Sequence, residues 1–484
     1  MSSLTVLAVA SEIYPLVKTG GLADVAGALA SALAAEDVAV VTLIPGYPAV
    51  MNKITAAERV WTEPDLFGDV ASVLHAMAAG LDLFVLDAPH LFARSGGPYV
   101  SPDGHDWPDN PFRFAALCQT AARLAFGECP RFRPDVVHAH DWQAGLTAAY
   151  LTYDGRRRPA TVITIHNLAF QGQYPASLLA PLGLPPRAFA IDGVEYYGMI
   201  GFLKAGLLLS DKITTVSPAY AAEIRTPEHG MGLDGLLRAR SASLTGILNG
   251  IDEAVWNPQE DAWLAAPYSV ETRAKRGFNK IALQKHFGLA AQSNALLFGA
   301  VSRLTWQKGV DLILANLDLI AQMGGQLALL GTGEPSLEEA LQAAAQARPG
   351  QMSVMIGYDE RTAHMIQAGA DALLIPSRFE PCGLTQLCAM RYGAVPIAAR
   401  VGGLMDTIVD ANEMAVASRL GTGILFSPVT TSAFGVALER AGKLWREPEV
   451  WDEIRMNGMK TDVSWRHPAA AYARLFRELV AGTG

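Results

Sequence analysis

From Leu4 onward, short apolar runs rich in β-branched residues alternate with longer Ala- and Leu-rich stretches whose apolar positions recur every three or four residues. LTVLAVA, AVVTLIP, LDLFVLD, PDVVHAH, ATVITIHN and KITTVS read as strands, and GLADVAGALASALAA, between the first two, reads as a helix. Such alternation predicts a parallel sheet covered by helices. Around LNGIDEAVWNPQED the rhythm gives way to charges and aromatics, and a second series follows: LLFGAVS, QLALLG, MSVMIGY, DALLIPS and AVPIAA. Asn249-Gly250 is a turn dipeptide close to Pro258, so a domain boundary is predicted near residue 250. The tail WRHPAAAYARLFRELV has the spacing of an amphipathic helix and suits either domain.

Composition narrows the reading. A chain of 484 residues, half of them hydrophobic, calls for two large folded domains rather than disorder. A net charge of −9 argues against a general nucleic-acid surface and makes cations gathered at one point informative. Cys118, Cys129, Cys382 and Cys388 show no CxxC spacing and are too sparse for a disulfide framework, which fits a reducing cytoplasm. The start of the chain lacks a basic leader, and no apolar run is long enough to cross a bilayer, so a soluble cytoplasmic protein is expected.

The chemistry concentrates at strand ends. Asp371 to Gln386 runs from an apolar strand, through a turn carrying Arg378 and Glu380, into a helix start at Cys382-Gly383-Leu384-Thr385. Open α/β sheets hold ligands at the carboxyl ends of strands, and helix-start amides attract phosphate. SRLTWQKG puts Arg303 and Lys308 after another apolar strand, so two cations and a carboxylate point to one phosphorylated ligand. In the first half, Lys18-Thr19-Gly20-Gly21-Leu22 joins the first strand to a helix. It is neither a Walker A loop nor G-x-G-x-x-G, and a plain connection stands beside a ligand loop as its reading. HAHDW sets His138 and His140 on one strand face with Asp141 at the tip; no further His/Cys cluster or D-x-D accompanies it, so no metal centre is expected. His166-Asn167 makes a second polar tip. A structural histidine is the default for either alone, but several polar tips on one edge read together as a site. Of the aromatics Tyr99, Trp107, Trp142 and Tyr358, only Tyr358 lies at a second-domain strand end where a base would stack. Gly331-Thr332-Gly333 is a weak G-x-G signal.

In this order KTGGLADV, HAHDW, THN, LNGID, SRLTWQKG and PSRFEPCGLTQ, together with DNPFRFA, TTVSPAYAAEI, VWNP and SWRHPAAAYARLF, resemble the bacterial glycogen synthases, which belong with the plant starch synthases. The resemblance spans nearly the whole chain. It implies an α/β fold of the GT-B type, two Rossmann-like doubly wound domains facing a hinge cleft. Residues 1–250 would form the acceptor side, 251–458 the nucleotide-sugar side, and 459–484 a helix crossing back to the first domain. It also implies transfer of glucose from ADP-glucose to the non-reducing 4-hydroxyl of an α-1,4-glucan, with retention of configuration and no metal or other cofactor. By resemblance, Lys18, with Gly20 and Gly21, lies on the sugar nucleotide, and Arg303 and Lys308 lie on its diphosphate. Gly383, Leu384 and Thr385 give the helix-start amides, Tyr358 meets adenine, and Glu380 sits beside the donor glucose. Asp141 and His166 line that sugar from the other domain, His166 partly through its carbonyl, and Asp24 lies near the nucleoside. Asn249 is a further substrate-binding candidate. Related glycosyltransferases often carry a second glutamate seven residues beyond the first; Leu387 stands here, so ribose contacts are expected elsewhere, near Thr385 and Gln386.

Other functions fit less well. A nicotinamide oxidoreductase lacks its glycine fingerprint here, and nothing marks the cofactor lysine of a phosphorylase. A nucleotide-sugar epimerase or a non-catalytic two-lobed sugar-binding protein shares the architecture and is separated only by whether a glucan is lengthened.

Overall fold

The first strand, β1 (Leu4–Val9), is buried over its last four residues, as an unbroken apolar run is when helices cover both faces of a sheet. It is followed by β2 (Val38–Pro45), β3 (Ala57–Glu63), β4 (Ala71–Ala78), β5 (Leu81–Asp87), β6 (Val136–His140), β7 (Ala160–Ile165), β8 (Gln173–Pro175), β9 (Glu195–Tyr196), β10 (Met199–Gly201), β11 (Lys212–Thr215) and β12 (Leu244–Gly246). The computed structural model describes residues 4–130 and 132–482. The chain divides into two compact units, Met1–Asn249 with Trp465–Gly484, and Gly250–Ser464.

In the first unit nine strands form one sheet in the order β12-β11-β7-β6-β1-β2-β5-β4-β3, and β8, β9 and β10 form a small separate one. The large sheet is parallel from β12 to β5 but ends in β4 and β3, both antiparallel to their neighbours. The parallel sheet expected from the sequence is there, and this antiparallel edge is an addition to it. β3 hides no residue fully, so its sequence lacks the apolar run that marked the other strands. The helix Gly21–Ala34 buries Leu22, Val25, Ala26, Leu29 and Leu33, the spacing of one helical face.

The second unit holds β13 (Leu297–Val301), β14 (Gln326–Gly331), β15 (Met352–Ile356), β16 (Ala372–Ile375), β17 (Val395–Ala399) and β18 (Ile424–Phe426), all parallel, in the order β15-β14-β13-β16-β17-β18. Five of these match the apolar runs of the sequence. The three-residue β18 is too short to show a pattern.

Each sheet winds in both directions from one strand. In the first unit β1 has β2 on one side and β6 on the other; in the second, β13 has β14 and β16. The gap where the winding direction reverses is where doubly wound sheets bind ligands, because the loops on its two sides part.

The tail helix Arg466–Gly482 belongs to the first unit. Ala469, Tyr472, Ala473 and Phe476 enter one apolar cluster with Val25, Leu29 and Leu33. The chain changes unit after Ser464; the cut expected after residue 458 falls inside the helix Pro448–Lys460. Among the described residues no helix is long and apolar enough to cross a membrane.

Candidate active site

In the second unit the predicted charged groups meet at the reversal between β13 and β16. Lys308, on the turn after β13, places Nζ 2.5 Å from Glu380 Oε2, on the turn after β16. The Ser377 hydroxyl donates to the same carboxylate oxygen at 3.0 Å. Both ionic side chains are largely buried, so the pair works in a medium that screens charge less than water does. Arg303, on the same turn as Lys308, is exposed and donates to Gln307 Oε1 at 3.2 Å; Gln307 in turn donates to the Phe379 carbonyl at 3.1 Å.

The turns themselves are built by backbone contacts. Gly309 has φ +68°, and a Cβ there would stand 2.1 Å from the Pro376 carbonyl oxygen, so only glycine lets the two turns touch. The Gly403 amide donates to the Glu380 carbonyl at 3.0 Å, and its own missing Cβ would meet the Cys382 backbone at 2.4 Å. Gly383, at φ +73°, and half-buried Leu384 lead into the helix Thr385–Tyr392, whose first amides lie just beyond Glu380 in the chain.

Arg378, read from the sequence alongside Glu380 as a site group, has another task. It makes two 2.7 Å hydrogen bonds to the Asp311 carboxylate, donates to the Trp306 carbonyl at 2.6 Å and lies 4.4 Å over the Trp306 ring. It ties one turn to the other. Asp311 is held below the usual carboxylate range chiefly by that hydrogen-bonded guanidinium. Gln386 is fully buried, with its amide on the Cys382 and Gly383 carbonyls at 2.9 Å each, so it shapes the turn. Leu387 lies in an apolar cluster with Ile251, Met390 and Val463. Gly331 and Gly333 allow β14's end to lie against Ser302 and Leu304, a packing role that explains both glycines. Tyr358 follows β15, two strands from β13, is 66% exposed, and donates its hydroxyl to Glu360.

In the first unit the reversal between β1 and β6 is flanked by the Lys18 loop and by Asp141. Lys18 pairs with Asp24 at 2.9 Å and lies 5.3 Å over the Tyr14 ring. The loop is organised by Glu12, which the sequence reading missed. This buried carboxylate accepts from the Thr19 hydroxyl at 2.8 Å, the Gly20 amide at 3.3 Å, the Tyr99 hydroxyl at 2.7 Å and the Thr19 amide. The signal for it was a carboxylate two residues past an apolar strand, in ASEIYP. Gly20 has φ −155°, open to any residue, and an added Cβ would meet nothing within 4 Å; Gly21 then opens the helix Gly21–Ala34.

Asp141 and His166 are brought together. Asp141 Oδ1 accepts from the His166 amide at 2.6 Å and the Asn167 amide at 3.5 Å, with Asp141 itself at φ +55°. Burial pushes the Asp141 carboxyl up to about 7, against the pull of those amides. His166 Nε2 lies 2.9 Å from His140 Nδ1, and burial holds His166 well below, and His140 down to about 4, from the usual histidine value. Both rings are neutral at neutral pH, one donating and one accepting. His138 bonds the Thr164 hydroxyl at 2.6 Å and packs 5.5 Å from Tyr472 and Phe476, a structural histidine. Among the described residues no three His, Cys, Asp or Glu side chains gather as a metal would need.

Asn249 follows β12 at the sheet edge, four strands from β1 and two from β7 in the order given above, and its side-chain oxygen is buried without a hydrogen-bond partner among the described residues. Trp142 is core, edge-on to Phe114 and Phe202; Trp107 lies under Arg94; and Tyr99 serves Glu12.

Residues 5–239 match the family model of the starch synthase catalytic domain, and residues 283–454 that of glycosyl transferases group 1. The chain is 68% identical over 480 residues to a glycogen synthase of Methylocella silvestris, covering 99% of both chains. It is 56% identical over 478 residues to one of Acidiphilium cryptum, covering 99% of this chain and 100% of that one. The catalytic domain of starch synthase IV from Arabidopsis thaliana, solved bound to ADP and acarbose, superposes with a TM-score of 0.89 at 31% identity, over 99% of this chain and 100% of that one. A sucrose-phosphate synthase from Thermosynechococcus elongatus shares the fold alone, with a TM-score of 0.61 at 17% identity and the same coverage. The chain belongs to the glycogen synthase family, hexosyltransferases of GT-B fold that join a starch synthase catalytic domain to a group 1 glycosyltransferase domain.

Proposed function

We propose that this chain takes glucose from ADP-glucose and adds it, with retention, to the non-reducing 4-hydroxyl of an α-1,4-glucan in the cytoplasm, without a metal. The observation that carries the reading is the Lys308–Glu380 pair at the winding reversal of the second unit, beside exposed Arg303 and the helix-start amides near Thr385. As the glucosyl–phosphate bond breaks, negative charge moves onto the diphosphate and positive charge onto the sugar ring. Fixed cations and amides at the diphosphate lower that barrier without having to reorganise. Lys308 spends one donor on Glu380 and has two more for phosphate oxygens. Glu380, held by Lys308 and Ser377, lies beside the sugar.

Retention is assigned to front-face attack. The C1–O bond to the diphosphate breaks, a bond from the acceptor O4 to C1 forms on the same face, and the hydroxyl proton passes to the departing phosphate oxygen. The alternative is a carboxylate nucleophile. Two observations weigh against it: one oxygen of Glu380 is held by an ammonium and a hydroxyl, and Asp141 is capped by two backbone amides. Trapping a glucosyl ester on either residue would overturn this assignment.

Lys18, Gly20, Gly21 and Asp24 are assigned to the nucleotide sugar, Tyr358 to adenine, and Asp141 with the His166 carbonyl to glucose. The open space beside Gly20 supports its role, since neither φ nor packing requires glycine there. The cytoplasmic assignment rests on four buried cysteines, none in a disulfide. Incubation of the purified chain with ADP-glucose or UDP-glucose, glycogen and a chelator tests the proposal. Glycogen lengthened at a higher rate from ADP-glucose, chelator present, is the expected result; donor consumed with no lengthening is the epimerase outcome and contradicts it.

A further inference from the structure

Leu296 and Gly324 stand just before β13 and β14, at the opposite end of the second unit's sheet from Lys308 and Glu380. They line a cavity of about 440 Å³, bounded on its other side by the end of the helix Thr431–Trp445 and the start of the helix Pro448–Lys460. A cavity of that size takes a small molecule. No residue of the Lys308 and Glu380 turns lines it.

Two guanidinium groups line the cavity, Arg446 and Arg455, and no carboxylate does. Arg446 is exposed and pairs with no carboxylate among the described residues. Arg455 is largely buried, and among the described residues its one hydrogen bond runs from Nε to the Gly393 carbonyl at 3.1 Å. Asp371 and Asp452 stand 3.5 and 3.9 Å from its terminal nitrogens, and each serves another cation more closely. Asp371 meets Lys280 Nζ at 2.7 Å, and Asp452 accepts from Arg273 Nε at 3.0 Å. Burial lowers Arg455 to about 10, and the charge of Arg276 adds to that, so a bound anion would offset both.

The remaining walls include two indoles. Trp451 is 2% exposed, and its buried ring N–H has no acceptor among the described residues. Trp445 donates to the Asn294 carbonyl at 3.1 Å and meets Trp451 edge-on, with ring centres 5.5 Å apart and planes at 88°. Gly442 lines the cavity from inside the helix Thr431–Trp445, where glycine is less favourable than alanine. Beyond its own helix an added Cβ would meet only the Met323 Sδ, at 3.2 Å. The missing side chain therefore leaves space in the cavity rather than admitting a neighbouring backbone.

We propose that this cavity binds a sugar monophosphate, with the phosphoryl group on Arg446, Arg455 and the Trp451 N–H and the sugar ring on the indoles. A phosphate monoester carries about two negative charges at neutral pH, which two guanidiniums lacking close carboxylates match better than a single carboxylate would. A buried N–H donor without an acceptor is costly until one reaches it. Indoles at right angles form a corner that suits the C–H faces of a saturated ring, whereas a flat base stacks best between parallel faces. Binding here requires no glucosyl transfer.

Titration calorimetry on the full chain tests this, with glucose 6-phosphate, glucose, AMP and inorganic phosphate as probes. R446Q removes a side chain with no ion pair to lose, G442L fills the cavity, and K308A lies at the other end of the sheet. Thermal unfolding shows whether each variant is folded, and R446Q decides the matter if G442L is not. Glucose 6-phosphate should bind the wild type with a Kd below about 1 mM, and about tenfold or more tightly than glucose or inorganic phosphate. R446Q should weaken that binding about tenfold, G442L should abolish it, and K308A should leave it unchanged. No binding of glucose 6-phosphate by the wild type, equal binding by R446Q, or loss in K308A alone overturns the proposal. So does an R446Q-sensitive site that takes AMP or inorganic phosphate as tightly as glucose 6-phosphate.

Discussion

Asp141 carries a pH signature. Its folded value of about 7 lies above the ordinary 3.8, so between these values the folded protein binds a proton that the unfolded chain has released. Burial therefore imposes no cost at low pH, a growing one as pH rises through the folded value, and its full cost above it. By linkage the full cost is on the order of 4 kcal/mol. D141N, which still offers an oxygen to the His166 amide, should be more stable than the wild type at pH 8 and gain less at pH 4. Thermal unfolding of the two proteins across that range checks this, and a pH-independent difference would contradict it. At the residue scale the sequence was partly legible. Lys308 and Glu380 stood out because each follows an apolar strand, and they meet as expected. Arg378 stood out for the same reason, but its tie to Asp311, 67 positions away, carries no local mark. Glu12 was missed because it looks like any polar residue leaving a strand.

Two glycines separate structure from binding at the scale of loops and strands. Gly309→Ala meets both a positive φ and a carbonyl oxygen, so it should cost about 2 kcal/mol or more and unseat Lys308 from Glu380. Gly20→Ala meets neither and should leave stability unchanged or raise it by about 0.4–1 kcal/mol. Its effect should instead be a higher KM for ADP-glucose. Thermal unfolding and initial rates on the two variants give opposite patterns if loop roles are as assigned. Strands were legible where both faces are buried and the run is unbroken. They were not at β3, whose residues are all at least partly exposed, nor at β18. Antiparallel pairing at the β5 edge was hidden because its turn is Ala79-Gly80 rather than a recognisable Asn-Gly.

Across the whole molecule, the alternation of elements disclosed two doubly wound sheets, but strand order could not be read from it, and strand order is what puts each loop at a winding reversal. The tail helix was legible as amphipathic, while its destination depended on which unit offers a complementary apolar face. That face is Val25, Leu29 and Leu33. Phe476→Ala empties a fully buried position there and should cost about 3–5 kcal/mol, seen as earlier unfolding of the first unit in calorimetry.

The central claim is that cations at the second unit's winding reversal stabilise a departing diphosphate while glucose joins a glucan. The most direct measurement is the initial rate of labelled glucose incorporation from ADP-glucose into glycogen, for the wild type and for purified, folded K308A. Incorporation by the wild type with a turnover about a hundred to a thousandfold lower in K308A is the predicted result. Near-normal turnover in K308A, or no incorporation by the wild type, would contradict the account.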